Sequence, residues 1–329
     1  MSNFSLTILG SGAAAPALGR HTSCQYLNIH SRHFLIDCGE GAQMQMQLFE
    51  VPISKINHIF ISHLHGDHYL GLMGLLFSMH LNKRTYDLHL YAPFGLQEII
   101  LLQLKYSKSV LNFNIHFHPF EPAEQTVLLA DDIVSVETIP LNHKLPCAGF
   151  LFREKPRTLN LNKEKLPKGM LLQHIALLKQ GLDVVDNIGQ VIYKNTDYTL
   201  PPKKTRSYAY CSDTMWNEPM AQQIKNVNLL YHESTFLETD LGKATETKHS
   251  TAKQAAEMAK LCGAKKLILG HFSARYRDLD ELLAEAKVVF ENTILVLLTV
   301  CVYVRLEHPY RLLYGPASTR EKLHASTAI

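Results

Sequence analysis

The hydrophobic pattern of the first third of the chain consists of short apolar runs, several alternating with a period of two, which is typical of β-strands. Phe4–Gly10 ends in Gly-Ser-Gly, and Tyr26–Ile29 and His33–Asp37 flank a tight turn, as in a hairpin. Ile56–Ile61 is continuously apolar, which favours a buried strand. Further strands are predicted at 88–92, 114–118, 133–140, 147–152, 208–212, 229–233 and 266–270.

Apolar residues at helical spacing follow several of these strands. Helices are predicted at 42–50, 70–82, 96–106, 217–226, 251–262 and 279–290. Strands and helices that alternate along the chain favour a layered α/β architecture.

The composition fits one folded globular chain. It has 329 residues, of which 46% are hydrophobic and 19% are charged, and its formal charge is +3. These values argue against a long disordered chain. At roughly 150 residues per domain the length allows two domains or one large α/β domain, and we treat 1–329 as a single domain.

The chain shows no sign of secretion or of membrane insertion. Its first ten residues lack a long apolar core, and no apolar run reaches the ~18 residues of a membrane span. The six cysteines are scattered without a Cys-x-x-Cys pair, which argues against a disulfide scaffold and a cysteine zinc site. We therefore expect reduced thiols, a cytoplasmic location and no membrane partner.

Charge is unevenly distributed. Between Arg153 and Arg206 there are eleven Lys or Arg residues and five Asp or Glu residues, a local charge of +6, and the apolar periodicity weakens. One interpretation is a solvated insertion that the lysines keep soluble. The other is a contact surface for a polyanion.

The candidate chemistry begins directly after the apolar strand at 56–61. His63, His65, Asp67 and His68 stand within six positions, and Gly66 eases a tight turn between them. Imidazole and carboxylate are standard ligands of zinc and similar metals. A single histidine is usually structural, but four such residues on one loop predict a metal site.

Three further candidate ligands stand where predicted strands end. His143 follows the strand at 133–140, Asp213 follows the strand at 208–212, and His271 follows the strand at 266–270. Each residue alone carries little weight. Their repeated placement at strand ends, where layered α/β folds build their sites, makes them the expected partners of the histidine loop.

These motifs resemble those of the metallo-β-lactamase superfamily, and within it the tRNA 3′-processing endonucleases of the ribonuclease Z family. The resemblance extends from residue 6 to about 293. The stretches that carry it, besides the histidine loop, are Leu9–Pro16, Phe34–Gly41, His232–Thr235, Lys248–Thr251 and Gly270–Tyr276. It implies a four-layer αβ/βα sandwich of the metallo-β-lactamase type, with 153–206 as an inserted basic, flexible tRNA-binding arm.

The resemblance also implies two zinc ions per subunit. The first ion would be held by His63, His65 and His143, the second by Asp67, His68 and His271, and Asp213 would bridge them. Two metals about 3.5–4 Å apart can activate a hydroxide for attack on a phosphodiester. Asp67 would also orient that hydroxide and take its proton. Asp37 either supports the ligand histidines or caps a helix.

Other implied roles remain open between two interpretations. His249 would protonate the leaving 3′-oxygen with Glu233 setting its protonation state, or it is only a residue near a helix start. Ser273 and Arg275 would contact a substrate phosphate, but Arg275 could equally form an ion pair with a neighbouring aspartate.

The chain departs from the family in three places. In the arm, the family's usual Gly-Pro element is not evident, and Lys168-Gly169-Met170 is the nearest candidate. After Pro16 the family's short basic loop is replaced by Ala-Leu-Gly-Arg-His, so discrimination against mature CCA ends is open. From about 296 to 329 the chain does not resemble the family's short end. Alternating residues around Cys301 and Tyr303 nevertheless predict a strand there.

Three functions are compared. The first is a zinc-dependent endoribonuclease that cleaves the 3′ trailer from precursor tRNA after the discriminator base, working as the homodimer the family implies. The second is a small-molecule phosphodiesterase, lactonase or thioesterase of the same superfamily, since fold and metal loop host many substrates. The third is a non-catalytic RNA-binding or scaffold protein with a vestigial site. The complete set of candidate ligands favours an enzyme, and the selective motifs favour the first.

Overall fold

The computed structural model describes residues 4–202 and 204–295 and the backbone of Val300–Tyr303 and Leu312–Tyr314. Contacts divide the chain into two units. The larger comprises the described residues of Met1–Ala130, Val134–Arg153 and Arg206–Ile329, and the smaller comprises Asp131–Ile133 and Glu154–Thr205. Within these described residues, no helix is both long and apolar enough to cross a membrane.

The strands are short and are spread over the whole described chain. In order they are β1 (Phe4–Gly10), β2 (Cys24–Ile29), β3 (Arg32–Cys38), β4 (His58–Phe60), β5 (Leu88–Pro93), β6 (Ile115–Phe120), β7 (Val127–Ala130), β8 (Val134–Leu141), β9 (Cys147–Glu154), β10 (Asn160–Leu161), β11 (Val184–Val185), β12 (Val191–Tyr193), β13 (Thr199–Leu200), β14 (Ser207–Cys211), β15 (Leu229–Glu233), β16 (Leu267–Gly270), β17 (Thr293–Leu295), β18 (Val300–Tyr303) and β19 (Leu312–Tyr314).

The helices are likewise short. They are α1 (Ala42–Leu48), α2 (Gly66–Tyr69), α3 (Leu72–Leu81), α4 (Leu96–Tyr106), α5 (Leu172–Lys179), α6 (Asn195–Tyr198), α7 (Met220–Gln223), α8 (Leu241–Thr247), α9 (Ala252–Leu261) and α10 (Asp280–Val289).

The larger unit contains two sheets. The first has the order β19-β18-β1-β2-β3-β4-β5-β6, and the second has the order β17-β16-β15-β14-β9-β8-β7. Strands β3 to β6 run parallel in the first sheet, and β14 to β17 run parallel in the second. Parallel strands end at the same edge of a sheet, so each sheet gathers several strand ends in one place.

Alternate residues of the strands bury opposite faces of each sheet. On one face of the first sheet, Leu35 and Ile59 pack with apolar residues of α1, α3 and α4. On the other face, the Phe34 ring packs at a tilt against Phe152 of β9 with ring centroids 5.5 Å apart, and the Phe60 and Phe150 ring centroids are 5.4 Å apart. Helices α7, α9 and α10 cover the outer face of the second sheet. The layers are helix, sheet, sheet and helix, which confirms the predicted four-layer sandwich.

Several boundaries differ from the sequence prediction. The strand expected at 56–61 is only His58–Phe60, although Ile56 and Ile61 are fully buried, because a loop residue in a core is as apolar as a strand residue. The helix expected at 217–226 is reduced to α7. The strand expected around Cys301 is present as β18, which pairs antiparallel with β1. Farther along the tail, β19 pairs antiparallel with β18, and the other tail residues lie outside the described residues.

The smaller unit contains two-stranded pairs β10–β13 and β11–β12 together with α5 and α6. Leu178, Val184 and Asn195 are buried within it. Most of its lysines are exposed, among them Lys163, Lys165 and Lys168.

Candidate metal centre

The predicted ligands lie together at the ends of the parallel strands. His63 and His65 are in the loop after β4, His143 follows β8, Asp213 follows β14, and His271 follows β16. The sequence suggested a loop for Asp67 and His68. In the structure, both residues lie on the single helical turn α2. This turn directs both side chains to the same side as the loop histidines. The seven predicted ligands form two neighbouring groups, and Asp213 contacts members of both.

The first group surrounds one oxygen of Asp213. His63 Nε2 lies 2.9 Å from His65 Nδ1, and His143 Nε2 lies 3.2 Å from the same atom. Asp213 Oδ2 lies 3.5 Å from His63 Nε2 and 3.6 Å from His143 Nε2. Three nitrogens and one oxygen therefore face a common point.

The second group surrounds the other oxygen of the same aspartate. Asp213 Oδ1 lies 3.2 Å from His68 Nε2 and 3.1 Å from His271 Nε2. Asp67 Oδ2 lies 3.4 Å from each of these two nitrogens. Asp213 thus directs one oxygen to each group, which is the arrangement of a bridging carboxylate.

The donor spacing fits metal ions. Zinc–nitrogen bonds of about 2.0–2.1 Å in a tetrahedron place neighbouring donors roughly 3.3 Å apart, close to the distances in both groups. His68 Nε2 is buried and, although it lies 3.2 Å from Asp213 Oδ1, it forms no hydrogen bond of good geometry with any described residue. A buried nitrogen in that position is costly unless something binds it. A metal ion would satisfy it.

The electrostatics of the centre also suit cations. Burial lowers the pKa values of His63, His65 and His143, so these imidazoles are neutral and can coordinate. Burial alone would raise the pKa of Asp213, but the surrounding histidines outweigh it and hold that pKa well below its usual range. Burial would also lower the pKa of His68, yet the nearby carboxylates of Asp213, Asp37 and Asp67 raise it. The cluster therefore favours positive charge at its centre.

Asp37 holds two of the rings from behind. Its Oδ2 accepts hydrogen bonds from His68 Nδ1 at 2.7 Å and from Ser62 Oγ at 2.9 Å, and Ser62 Oγ lies 3.0 Å from His63 Nδ1. With Nδ1 of each ring donating, Nε2 is left to face the centre. Helix α1 begins after Gly41, so Asp37 does not cap it.

Two further rings are oriented by groups to which the sequence pointed only indirectly. His143 Nδ1 donates to the backbone carbonyl of Lys248 at 3.1 Å, and His271 Nδ1 donates to Thr235 Oγ1 at 3.0 Å. Thr235 belongs to the His-Glu-Ser-Thr motif, but nothing in that motif indicates which ring its hydroxyl reaches.

Several residues around the centre have an uncommon backbone conformation. Asp37, Asp213, Lys248 and His271 all have positive φ, between 53° and 57°. Such values are uncommon for residues other than glycine and are found where the surrounding structure requires them, often at functional sites. At Asp213 and His271 the positive φ occurs at the residue that turns from a strand end toward the centre.

His249 and Glu233 form a pair beside the centre. His249 Nδ1 donates to Glu233 Oε1 at 2.9 Å, and the His249 ring lies 4.9 Å from that of His143. Burial alone would lower the pKa of His249, but Glu233 outweighs it and raises the pKa to about 9. The fully buried Glu233 also accepts from the backbone N–H groups of Thr214 and Ser250. Helix α9 is capped by Thr251, so His249 lies outside it.

Ser273 and Arg275 lie at the margin of the centre. Arg275 Nη1 is 3.5 Å from Asp240 Oδ1, its guanidinium stacks on the Phe236 ring, and its Nε donates to Ser273 Oγ. Of the two interpretations of Arg275, the structure therefore contains the ion pair with a neighbouring aspartate, Asp240. The side chain is 38% exposed and can still be reached by a substrate.

The loop after β1 also reaches the centre. The Ala14 backbone N–H donates to Asp67 Oδ2 at 2.8 Å. Arg20, which is buried, donates to the carbonyl oxygens of Ser273 and Tyr276. This loop is thereby tied both to a predicted ligand and to the segment that follows His271.

Solved structures identify the class of protein. Over 92% of this chain and 99% of the other, the fold is similar to the metallo-β-lactamase fold protein YhfI of Bacillus subtilis, with a TM-score of 0.65 and 18% identity. It is also similar to the short form of human tRNase Z, with a TM-score of 0.66 and 26% identity over 92% of this chain and 100% of that one. The fold and the paired ligand groups define a protein with the metallo-β-lactamase fold.

Curated relatives define the family. Ribonuclease Z of Cytophaga hutchinsonii is 50% identical over 89% of this chain and 94% of its own length, and ribonuclease Z of Bacteroides fragilis is 43% identical over 92% and 99%. The chain belongs to the ribonuclease Z family. A family model described as anti-Pycsar protein Apyc1 also matches residues 4–159, which is less than half of the chain.

Proposed function

We propose that this protein is a zinc-dependent endoribonuclease that removes the 3′ trailer from precursor tRNA after the discriminator base. The observation that carries the proposal is the buried Asp213 carboxylate, which directs one oxygen to each of two ligand groups. Membership of the ribonuclease Z family and similarity to human tRNase Z support RNA as the substrate.

The residues present fit two zinc ions. His63, His65 and His143 would hold one ion, Asp67, His68 and His271 the other, and Asp213 would bridge them. When bound, such a pair supplies charge stabilisation for a phosphodiester transition state and lowers the pKa of an attacking water.

Asp67 orients the attacking water and accepts its proton. Burial alone would raise the pKa of Asp67, but His68 and His271 lower it below its usual range, so the carboxylate is ionised. The Ala14 N–H group and the two imidazoles surround Oδ2. These contacts fix the orientation of the carboxylate within the centre.

His249 supplies a proton to the leaving 3′-oxygen. Its pKa of about 9 keeps the ring protonated at neutral pH. Because Nδ1 donates to Glu233, the proton on Nε2 is the one available for transfer. Ser273 and Arg275 are proposed to contact a substrate phosphate near the centre, with Asp240 restraining the guanidinium.

The smaller unit is proposed to act as the tRNA-binding arm. Exposed Lys163, Lys165 and Lys168 are suited to phosphate contacts. Replacing all three by alanine should raise KM for precursor tRNA and reduce the slope of log affinity against log salt by roughly two to three units, as counterion release requires. Hydrolysis of a small chromogenic phosphodiester should be unchanged in the same variant.

The decisive experiment uses a defined precursor-tRNA transcript, with and without an encoded CCA, incubated with purified zinc-loaded protein and mapped to the nucleotide. We expect a single cut after the discriminator base, leaving a 3′-hydroxyl and a 5′-phosphate. Asp67→Ala should abolish the cut, whereas Asp87→Ala, an exposed aspartate outside the centre, should leave it intact. An uncut transcript would refute the proposal.

The proposal extends to a homodimer in the cytoplasm. Exposed Met44 and Leu48 on α1 offer apolar surface to a second copy, and light scattering measures the subunit number. Five cysteines among the described residues are unbridged and buried, which fits a reducing compartment. Cell fractionation tests the location.

A further inference from the structure

An exposed aromatic side chain stands next to the metal centre without a role in the chemistry described above. Among the described residues the exposed large aromatic side chains are Tyr86, Phe94 and Tyr106, and Phe94 is 66% exposed. Phe94 directly follows the carboxyl end of β5. Tyr86 precedes that strand, at the opposite edge of the sheet.

The strand register places Phe94 beside the ligand loop. Strands β4 and β5 run parallel, with Phe60 paired to Tyr91. The Ile61 N–H also donates to the Tyr91 carbonyl at 2.8 Å, so the two backbone segments stay paired past the end of β4. His63 lies three residues after Phe60, and Phe94 lies three residues after Tyr91.

Side-chain packing supports the same placement. A Cβ atom built on Gly95 would lie 3.6 Å from Leu64 Cδ1, and Leu64 stands between the predicted ligands His63 and His65. Leu64 is partly exposed and packs on the core under the first sheet. The backbone next to Phe94 therefore lies beside Leu64, and these two apolar residues, here called the ledge, stand at the border of the centre.

The backbone on both sides of Phe94 is anchored. Pro93 before it and Leu96 after it are buried, and Gly95 between Phe94 and α4 has φ of +99°, which suits glycine. An exposed aromatic ring on an anchored backbone loses little conformational freedom when a flat partner binds against it.

We infer that Phe94, supported by Leu64, stacks an unpaired nucleobase next to the scissile phosphate and so positions the RNA strand on the metal centre. The inference rests on the proposed function, which places the phosphate at the centre and leaves single-stranded nucleotides beside it. Stacking on an aromatic ring is a general way to hold single-stranded RNA, and it tolerates any base. Phe94 is a positioning residue in this scheme, and it takes no part in proton transfer.

The test measures KM and kcat on a precursor-tRNA transcript for Phe94→Ala and Phe94→Trp, with Tyr86→Ala as the matched control. Stacking energies predict a rise in KM of roughly tenfold for Phe94→Ala, with kcat within about twofold of wild type. Phe94→Trp should keep the wild-type KM, and Tyr86→Ala should change neither constant. Rescue by tryptophan separates stacking from a loss of folding, because a larger ring would not restore a damaged core.

Transcripts that carry an abasic nucleotide on either side of the scissile phosphate identify the partner. At one of these positions, removing the base should cost the wild-type enzyme as much affinity as Phe94→Ala costs on the intact RNA. Removing the same base should cost the Phe94→Ala variant no further affinity. Additive losses at both positions would overturn the inference, as would a changed subunit number for Phe94→Ala, which would assign the ring to a protein interface. If wild type cuts the transcript and Phe94→Ala has an unchanged KM, the inference fails while the proposed function stands. If wild type does not cut it, the proposed function fails as well.

Discussion

Replacing Asp37 by asparagine changes a fully buried carboxylate into an amide of the same shape. Asp37 Oδ1 accepts one hydrogen bond, from the Ser62 N–H, whereas Oδ2 accepts three, from Ser62 Oγ, His68 Nδ1 and Tyr210 OH. The least costly orientation of the amide keeps its oxygen at the Oδ2 position. Its NH₂ group then faces the Ser62 N–H, and both buried donors lose an acceptor.

The size of the effect follows from these contacts. A buried donor without an acceptor costs about 1–3 kcal/mol, and the charge-assisted bond from His68 is weakened as well. We therefore expect Asp37→Asn to lower the free energy of unfolding of the metal-free protein by about 1–3 kcal/mol. Groups that orient metal ligands from behind typically contribute 10–100-fold to metal affinity, so the zinc site that includes His68 should weaken by that factor, or about 1.4–2.7 kcal/mol.

The assay is zinc titration against a chelator of known affinity, with urea unfolding of the metal-free protein in parallel. Asp87→Asn is the matched control, because Asp87 accepts from His116 at an exposed position directly before β5, at the opposite end of the strand from the centre. It should alter neither measurement by more than about 0.5 kcal/mol. Unchanged zinc affinity in Asp37→Asn would show that Asp37 does not hold His68 for the metal, and the description of the centre would have to be revised.

Three other changes test separate parts of the structure. His249→Ala should lose most cleavage of precursor tRNA but keep hydrolysis of bis(p-nitrophenyl) phosphate, whose leaving group needs no proton; equal losses on both substrates would contradict its role as proton donor. Arg20→Met should lower the free energy of unfolding by about 2 kcal/mol, since the carbonyl oxygens of Ser273 and Tyr276 lose their donor, and an unchanged urea midpoint would refute this. Stripping the metal with a chelator should lower Tm, and zinc at a hundred times its Kd should restore about 2.7 kcal/mol of stability; a Tm that does not respond to zinc would count against a metal centre.

The sequence predicted most elements of the sandwich because strand and helix periods are local signals. Leu96–Tyr106 was predicted with the bounds that α4 has, and 229–233 with those of β15. The helix α8 and the short strands of the smaller unit were missed. These pieces are short and partly exposed, so they contain too few apolar residues to show a period.

The histidine loop shows how far local reasoning reaches at the site. Four potential ligands within six positions pointed to a metal, but the sequence did not show that Asp67 and His68 stand on a helical turn. The sequence also did not predict which nitrogen of each histidine ring faces the centre. That choice depends on Asp37 and on the Lys248 carbonyl, which are far from their rings along the chain.

By itself the sequence determined the residue types at the strand ends, the layered α/β pattern and the uneven charge, because each of these is a property of neighbouring residues. Only the tertiary structure decided that the two oxygens of Asp213 face different ligand groups, that Thr235 orients His271, and that Phe94 stands beside the histidine loop. The physical reason is the short range of these contacts, since a hydrogen bond, or the distance between two neighbouring metal-ligand atoms, is about 3 Å. Residues separated by tens or hundreds of positions meet at that distance only when packing of the two sheets places them there.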